Sequence, residues 1–189
     1  DLYLKNFNNI KKLYSFEPYS ESYKILKKKF SNNSSIYIYN LAISNEKGSR
    51  NLNIVEAEDG QSTLNEINQE SVWYLIKKIF MASKKLYTRK ELVKVDKLSN
   101  LYDGNIDFLK IDTEGNELEV LKSCDHLLKK TKFIFIEIHN SKMFKNYNSD
   151  LIYEFLKTNS FVEIKRFKFP LMNWNDVVFM NKNLVNPNL

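Results

Sequence analysis

Four ionisable side chains lie at or just after the ends of two apolar segments in the second half of the chain. Asp112 and Glu114 follow one of these segments, and Glu137 and His139 close the next one. A carboxylate or an imidazole held beside a hydroxyl group can remove its proton while the oxygen attacks an electrophile. We therefore take these four residues as candidates for general acid–base catalysis.

Each of these residues also has a structural interpretation. Asp112 could cap the helix that follows it, and Glu114 could complement the dipole of that helix. His139 alone is of a type often found on protein surfaces, and Lys110 is expected to pair with a carboxylate. Asp112, Glu137 and His139 are also of the types that bind divalent ions. Because their spacing matches no tight metal motif, we assign no metal ligand.

A fifth carboxylate stands at the end of an apolar segment near the start of the sequence. Residues 12–17 have the pattern of a strand, and Pro18 ends it. In open parallel sheets, an acidic residue at this place can accept hydrogen bonds from ribose hydroxyls. The alternative is that Glu17 complements the start of the next helix. A Glu followed by Pro at an apolar strand end favours the ribose role.

Strand-like and helix-like segments alternate along the sequence. This alternation predicts an α/β fold with a mostly parallel sheet and helices on both faces. The last two strands have no helix between them and should form an antiparallel hairpin. Strands are predicted at 12–17, 36–43, 106–112, 133–138, 161–167 and 176–180, with an edge strand at 91–95. We expect one domain over residues 1–189.

Two segments of the sequence resemble the FkbM family of methyltransferases. They are Tyr14–Pro18 and Ile106–Leu121, and weaker matches follow in the expected order. These weaker matches are Asn40–Ser44, Ser62–Leu64, Ile136–His139 and Asn175–Phe179. The resemblance implies a Rossmann-like methyltransferase fold. It also implies transfer of a methyl group from S-adenosylmethionine to a hydroxyl of a sugar, glycan or related natural product.

The resemblance also implies a set of cofactor-binding residues. Glu17 and Pro18 would bind the ribose side of S-adenosylmethionine, and Asp112 would lie at the centre of the crevice. Leu41 and Ala42 would lie beside the adenine, partly through backbone groups. We expect substrate choice to depend on residues 60–89 and 140–148, which connect elements above the crevice.

The sequence departs from the family at its start. The family begins with a strand and a glycine turn that hold the methionine part of the cofactor, and no glycine precedes Gly48 here. We therefore expect an N-terminally truncated domain with its first strand missing, which binds S-adenosylmethionine poorly by itself. The uncovered sheet edge would favour association into a homo-oligomer. The alternative is a catalytically inactive, methyltransferase-like binding module.

Charge and sequence motifs indicate which class of partner the protein binds. The net charge is +6 and comes mostly from lysines, which could attract a polyanion. We favour a solvated lysine surface, because no helix carries a clean basic stripe. The Asn/Asp-Pro-Pro-aromatic motif of amino-group methylation is absent as well. A nucleic-acid methyltransferase is thus an alternative that we disfavour, and the expected partner is a small-molecule or glycan acceptor.

Cysteine usage and hydropathy bear on the compartment. Cys124 is the single cysteine of the chain, which excludes a disulfide framework and favours the reducing cytoplasm. No apolar run approaches the roughly 20 residues that a membrane span needs.

Overall fold

The structure is a computed structural model that describes residues 9–54, 62–72, 74–75, 79, 89–140, 143–169 and 173–185. Its strands are β1 (Leu13–Phe16), β2 (Ile36–Tyr39), β3 (Ala42–Ile43), β4 (Gly48–Ile54), β5 (Arg89–Asp96), β6 (Ile106–Ile111), β7 (Thr131–His139), β8 (Phe161–Lys168) and β9 (Trp174–Asn181). The helices described over their whole length are α1 (Ser20–Lys29), α2 (Leu98–Leu101), α3 (Glu117–Ser123) and α4 (Ser149–Thr158), with a 3₁₀ helix over Asp125–Lys130.

A four-stranded sheet with the order β6-β7-β9-β8 dominates the second half of the chain. Strand β6 runs parallel to β7, whereas β9 is antiparallel to both β7 and β8. The last two strands therefore form the antiparallel hairpin that the sequence predicts. Because β6 and β7 are parallel neighbours, their carboxyl ends lie side by side at one edge of the sheet.

Helices cover one face of this sheet. Alternate residues of β7, namely Ile134, Ile136 and Ile138, are buried on that face because successive side chains of a strand point to opposite sides. Leu121 of α3 and Leu156 of α4 belong to the same buried cluster. Each such side chain contributes roughly 2 kcal/mol of hydrophobic stabilisation. This packing fixes the carboxyl end of β7 relative to the start of α3.

The opposite face of the sheet is open within the described part of the chain. Phe108, Phe135 and Phe167 form a row across it, with ring centroids 6.2 and 6.5 Å apart. The end members of the row, Phe108 and Phe167, are 42% and 44% exposed. The sequence predicts helices on both faces, but the described helices cover only one. The helix between the first two strands, α1, lies beside β2 and buries no residue.

The remaining strands form two smaller sheets instead of extending the first one. Strands β1 and β2 pair in parallel, and β5 lies between a parallel β3 and an antiparallel β4. In the described residues, the predicted mostly parallel sheet is therefore divided into three sheets, of which one is parallel and two are mixed. The prediction of β5 as an edge strand is wrong, because β5 is the middle strand of its sheet.

One predicted strand, over residues 36–43, is divided into β2 and β3. The division falls at Asn40, whose side-chain amide donates to the backbone carbonyls of Glu17 and Pro18, each at 3.0 Å. These two bonds hold the end of β2 to the end of β1, and the chain then turns to bring β3 beside β5. Among the described helices, none is long and apolar enough to cross a membrane.

Candidate active site

Three of the four candidate acid–base residues converge where β6 and β7 end. The register pairs Ile111 of β6 with Ile136 of β7, so the residues that follow each of them are also neighbours. Nε2 of His139 lies 3.6 Å from Oε1 of Glu137 and 3.8 Å from Oε2 of Glu114. The two carboxylates therefore face the same ring nitrogen from two different elements.

Aromatic rings hold the imidazole of His139 in place. The side chain is only 3% exposed and meets Phe144 and Tyr147 edge to face, with ring centroids 5.1 and 5.6 Å away. In addition, the backbone N–H of His139 donates to the hydroxyl of Tyr147 at 3.0 Å. Both aromatic residues come from the connection after β7, so this connection forms one wall of the site.

The surroundings of Glu137 disfavour the charged form of its carboxyl group. Burial, assisted by the negative charges of Asp112 and Glu114, raises its pKa to about 8. A strongly perturbed carboxyl group in a cluster of ionisable residues is a physical indicator of a functional site. A carboxyl group with a pKa near neutrality can exchange protons at physiological pH.

Glu114 occupies a turn whose backbone is unusual. Its φ angle is +51°, in the left-handed region that residues with a side chain rarely adopt. Thr63 supports this conformation, because its hydroxyl donates to the backbone carbonyl of Glu114 at 2.6 Å. At Gly115 φ is +98°, and a Cβ atom there would lie 2.5 Å from the ring of Phe144. Only glycine allows the turn to approach the wall of the site this closely.

Glu117, the first residue of α3, is a buried carboxyl that is not among the candidates predicted from the sequence. Its Oε1 accepts hydrogen bonds from the N–H of Thr113 at 3.3 Å, the hydroxyl of Thr113 at 3.1 Å and the N–H of Gly115 at 2.9 Å. The residue is fully buried, and this burial raises its pKa to about 7. Glu117 thus holds the turn that carries Glu114. Its position two residues after a glycine turn was the available sequence signal.

Asp112 lies beside this cluster but has a different environment. Its side chain is half exposed and forms an ion pair with Lys110, which confirms the pairing predicted for this lysine. The charge of Asp112 nevertheless reaches Glu137 and raises its pKa. The three groups that come within 4.8 Å of one another are Glu114, Glu137 and His139. Their donor types and spacing could also accommodate a divalent cation.

The candidate cofactor residues lie at the ends of β1 and β2. Glu17 follows β1 and is half-buried, and its Oε1 accepts the N–H of Tyr19 at 2.8 Å. Burial raises the pKa of this carboxyl, and the hydrogen bond from Tyr19 opposes the rise. Since Tyr19 is the N-cap residue of α1, Glu17 does contact the start of the helix. Pro18 is half-buried beside it.

Leu41 and Ala42 contribute their side chains to packing. Leu41 packs against the main core, and Ala42 is 7% exposed in a second cluster that includes Leu52 and Ile54. Any contact that these two residues make with a ligand must therefore come mainly from their backbone groups. Of the segments expected to govern substrate choice, residues 140 and 143–148 are described and lie next to the cluster, and the described residues of the other segment are 62–72, 74–75, 79 and 89.

Comparison with known proteins places the chain among methyltransferases. The family model described as Methyltransferase FkbM domain matches residues 2–168. The crystal structure of Methyltransferase FkbM from Methylobacillus flagellatus KT has a similar fold, with a TM-score of 0.56 at 13% sequence identity. The alignment covers 95% of this chain and 39% of the chain in that structure. No curated protein matches the sequence significantly.

Proposed function

Because the chain belongs to the FkbM methyltransferase domain family, we propose that it is an S-adenosylmethionine-dependent O-methyltransferase with a Rossmann-like fold, formed by residues 1–189 as one domain. The acceptor is a hydroxyl group of a sugar, a glycan or a related natural product. The observation that supports this function best is the cluster of Glu114, Glu137 and His139 at the carboxyl ends of parallel strands. Ligands of open α/β sheets bind at this edge.

The cofactor side of the site is compatible with a ribose. Glu17 uses Oε1 to accept the N–H of Tyr19, whereas its Oε2 accepts no hydrogen bond from the described residues. A carboxylate oxygen that is half-buried and available suits a pair of ribose hydroxyls. In this proposal Pro18 shapes the adjoining wall, Leu41 and Ala42 contact the adenine through backbone groups, and Asp112 faces the crevice between cofactor and acceptor.

Bound S-adenosylmethionine would supply a methyl group that its positive sulfur already activates. In-line attack of the acceptor oxygen on that methyl group would break the carbon–sulfur bond and release S-adenosylhomocysteine. Glu137 takes the proton that the acceptor hydroxyl loses. Because the pKa of Glu137 is raised to about 8, the ionised carboxylate is a stronger base than an exposed one, and the fraction that can accept a proton grows as the pH rises toward 8.

The other members of the cluster position Glu137 and the acceptor. His139 lies 3.6 Å from Glu137 and can stabilise its charge or exchange a proton with it. Glu114 approaches the same imidazole from the turn before α3 and limits the directions from which an acceptor enters. Holding the hydroxyl and the methyl group in line accounts for much of the rate enhancement, because positioning alone can supply several kcal/mol.

Calorimetric titration with S-adenosylhomocysteine tests the proposal. The proteins compared are the full-length gene product that contains this chain, the 189-residue chain, and the Glu17→Ala variant of each. Losing a charged hydrogen-bond acceptor costs about 1.5–3 kcal/mol, so the Kd of the variant should rise about tenfold or more. Glu154→Ala, an exposed change on α4, is the matched control and should leave the Kd unchanged.

Two results would contradict the assignment of the ribose site or the enzyme itself. An unchanged Kd in Glu17→Ala would remove Glu17 from the cofactor site. If the full-length gene product binds no S-adenosylhomocysteine, the proposal of a methyltransferase fails and a methyltransferase-like binding module replaces it.

A further inference from the structure

A polar groove adjoins the catalytic cluster on the side of α3 and α4. Its volume is about 510 Å³, within the range of small-molecule sites. Five asparagines contribute to its walls together with Tyr147, and we call it the asparagine groove. The asparagines are Asn45, Asn65, Asn116, Asn146 and Asn148.

The charged side chains that line the asparagine groove neutralise one another or a neighbour. Arg50 lies 3.6 Å from Glu46 and also donates to the backbone carbonyl of Leu64 at 3.1 Å. Lys145 and Glu66 form a second pair at 3.0 Å. The remaining carboxylate of the lining, that of Glu119, pairs with Lys122 at 2.7 Å. A charged ligand would therefore have to break an existing ion pair to obtain a partner.

Unlike the charged side chains, most side-chain amides of the groove have hydrogen-bonding groups that no described residue uses. Asn45, Asn65 and Asn146 make no side-chain hydrogen bond to another described residue, and Asn148 uses only its oxygen, which accepts the N–H of Asp150 at 2.9 Å. Each amide group offers donors and an acceptor. The groove thus presents several neutral, two-way hydrogen-bonding groups beside charges that are already compensated.

Asn116 is an independent indication of a ligand. It is 2% exposed, and its Nδ2 donates to the backbone carbonyl of Ile43 at 3.1 Å. Its Oδ1 is buried and accepts no hydrogen bond from any described residue. A buried acceptor without a partner costs about 1–3 kcal/mol. A hydroxyl group that reached the floor of the groove would supply the missing donor.

Tyr147 connects the groove to the cluster. The same residue lines the groove and accepts the backbone N–H of His139 through its hydroxyl. The groove and the cluster therefore meet at Tyr147, and Gly115 of the groove lining directly follows Glu114 of the cluster in the sequence. This continuity makes the groove a place where an acceptor can present one hydroxyl to Glu137.

We infer that the asparagine groove binds the acceptor, and that it selects an uncharged, polyhydroxylated ligand such as a neutral glycoside over an anionic one. This inference rests on the proposed methyltransferase function and adds to it the location and the charge of the acceptor. Each hydroxyl of a sugar both donates and accepts, as does each amide of the groove. An anionic sugar would meet no uncompensated cation on these walls.

The test follows the side-chain amide signals of the asparagines by NMR while ligands are added to the full-length gene product. The probes are methyl α-D-mannopyranoside and methyl α-L-rhamnopyranoside, with glucuronate as the anionic comparator. The neutral glycosides should shift the signals of Asn45, Asn65 and Asn116. Glucuronate should leave these signals in place, and equal binding of all three probes would overturn the inferred selection for neutral ligands.

Variants of the groove give the quantitative part of the test. Two lost hydrogen bonds of ordinary strength should raise the Kd of a responding glycoside about tenfold in Asn45→Ala/Asn65→Ala. The control is Asn183→Ala, an exposed change in the segment after β9. An unchanged glycoside Kd in the double variant would overturn the assignment of the groove, as would the absence of glycoside shifts at Asn45 and Asn65.

The Kd for S-adenosylhomocysteine, measured on the same proteins, distinguishes a failure of the proposed acceptor groove from a failure of the proposed methyltransferase function. It should be unaffected by Asn45→Ala/Asn65→Ala, because neither residue belongs to the cofactor side. Cofactor binding without glycoside shifts would refute the groove and leave the methyltransferase. Glycoside shifts without cofactor binding would refute methyl transfer, and with it the role of the groove as an acceptor site.

Discussion

Glu117 provides a sharp test of the electrostatics at the candidate site. The change Glu117→Gln keeps the shape of the side chain and retains an oxygen that can accept from Thr113 and Gly115. It removes the ability to ionise. Because Glu117 is fully buried, its pKa is raised from 4.5 to about 7, and the folded protein binds this proton more tightly than the unfolded chain does.

The sign and the size of the effect follow from linkage. Below pH 4.5 the carboxyl is protonated in both states and costs nothing. As the pH rises toward 7, the unfolded chain releases the proton first, so the wild-type protein loses stability. A tenfold change in proton affinity corresponds to about 1.4 kcal/mol. The total loss is about 3 kcal/mol, of which about 2.5 kcal/mol falls between pH 5 and 8.5.

The assay is urea unfolding of the wild-type and Glu117→Gln proteins at several pH values between 5 and 8.5, followed by far-UV circular dichroism. The free energy of unfolding of the variant, relative to wild type, should increase by about 2.5 kcal/mol across this range. Other titrating groups affect both proteins and cancel in the difference. Glu119→Gln, on the same helix but half exposed and paired with Lys122, is the control, and its cost should be about 1 kcal/mol or less.

A difference between wild type and Glu117→Gln that stays constant from pH 5 to 8.5 would refute this reasoning. It would mean that Glu117 is not buried as a titrating group, and that it does not hold the turn of Glu114 in the way the hydrogen bonds indicate.

Three further predictions concern the turn, the core and the catalytic base. Gly115→Ala should destabilise the protein by at least about 2 kcal/mol more than Gly48→Ala. Both glycines have positive φ, but only at Gly115 would the new Cβ collide with a ring. Thermal unfolding of both variants checks this, and equal losses of stability would contradict the close approach of Phe144. Leu121→Ala should lower the free energy of unfolding in urea by about 2–5 kcal/mol, whereas Leu151→Ala on the exposed side of α4 should lower it by well under about 1 kcal/mol. Similar losses in the two variants would contradict the packing of α3. The rate of methyl transfer should rise with pH through pH 8, where Glu137 is half ionised, and level off only above it. A rate that falls over pH 6–8 would argue against a carboxylate base.

Local patterns were sufficient to predict the elements that carry the candidate catalytic residues. The apolar runs of β6 and β7 and the alternation of Glu137 and His139 are properties of short segments, and the structure places these two side chains 3.6 Å apart. The antiparallel hairpin of β8 and β9 was predicted for the same reason, since the absence of a helix between two strands is visible in the sequence.

Features that depend on distant contacts could not be predicted. The division between β2 and β3 depends on the bonds of Asn40 to the carbonyls after β1, more than twenty residues away. Ser149 is of a type that caps helices, but at the start of α4 the side chain of Asn148 accepts the N–H of Asp150. Such a choice between adjacent capping residues depends on backbone angles that composition does not determine.

The role of Glu117 at the candidate site also depends on contacts that could not be predicted from the sequence. A glutamate at the start of a helix is usually explained by the helix dipole, and nothing in the local sequence indicates full burial. Burial arises because α3 packs into the main core and turns this carboxylate toward Thr113 and Gly115. In the same way, Tyr147 reaches His139 only because the connection after β7 folds back over the strand.

Transfer of a labelled methyl group from S-adenosylmethionine is the most direct test of the central claim that this domain is an O-methyltransferase with Glu137 as its base. The full-length gene product is assayed with a panel of neutral methyl glycosides, and Glu137→Gln is assayed beside it with its Kd for S-adenosylhomocysteine as a folding control. Wild type should form a methyl ether, and the variant should lose about 100-fold or more in rate at an unchanged Kd. Full activity in Glu137→Gln would contradict the role of this base, and the absence of transfer to every hydroxyl acceptor by a protein that binds no cofactor would contradict the function itself.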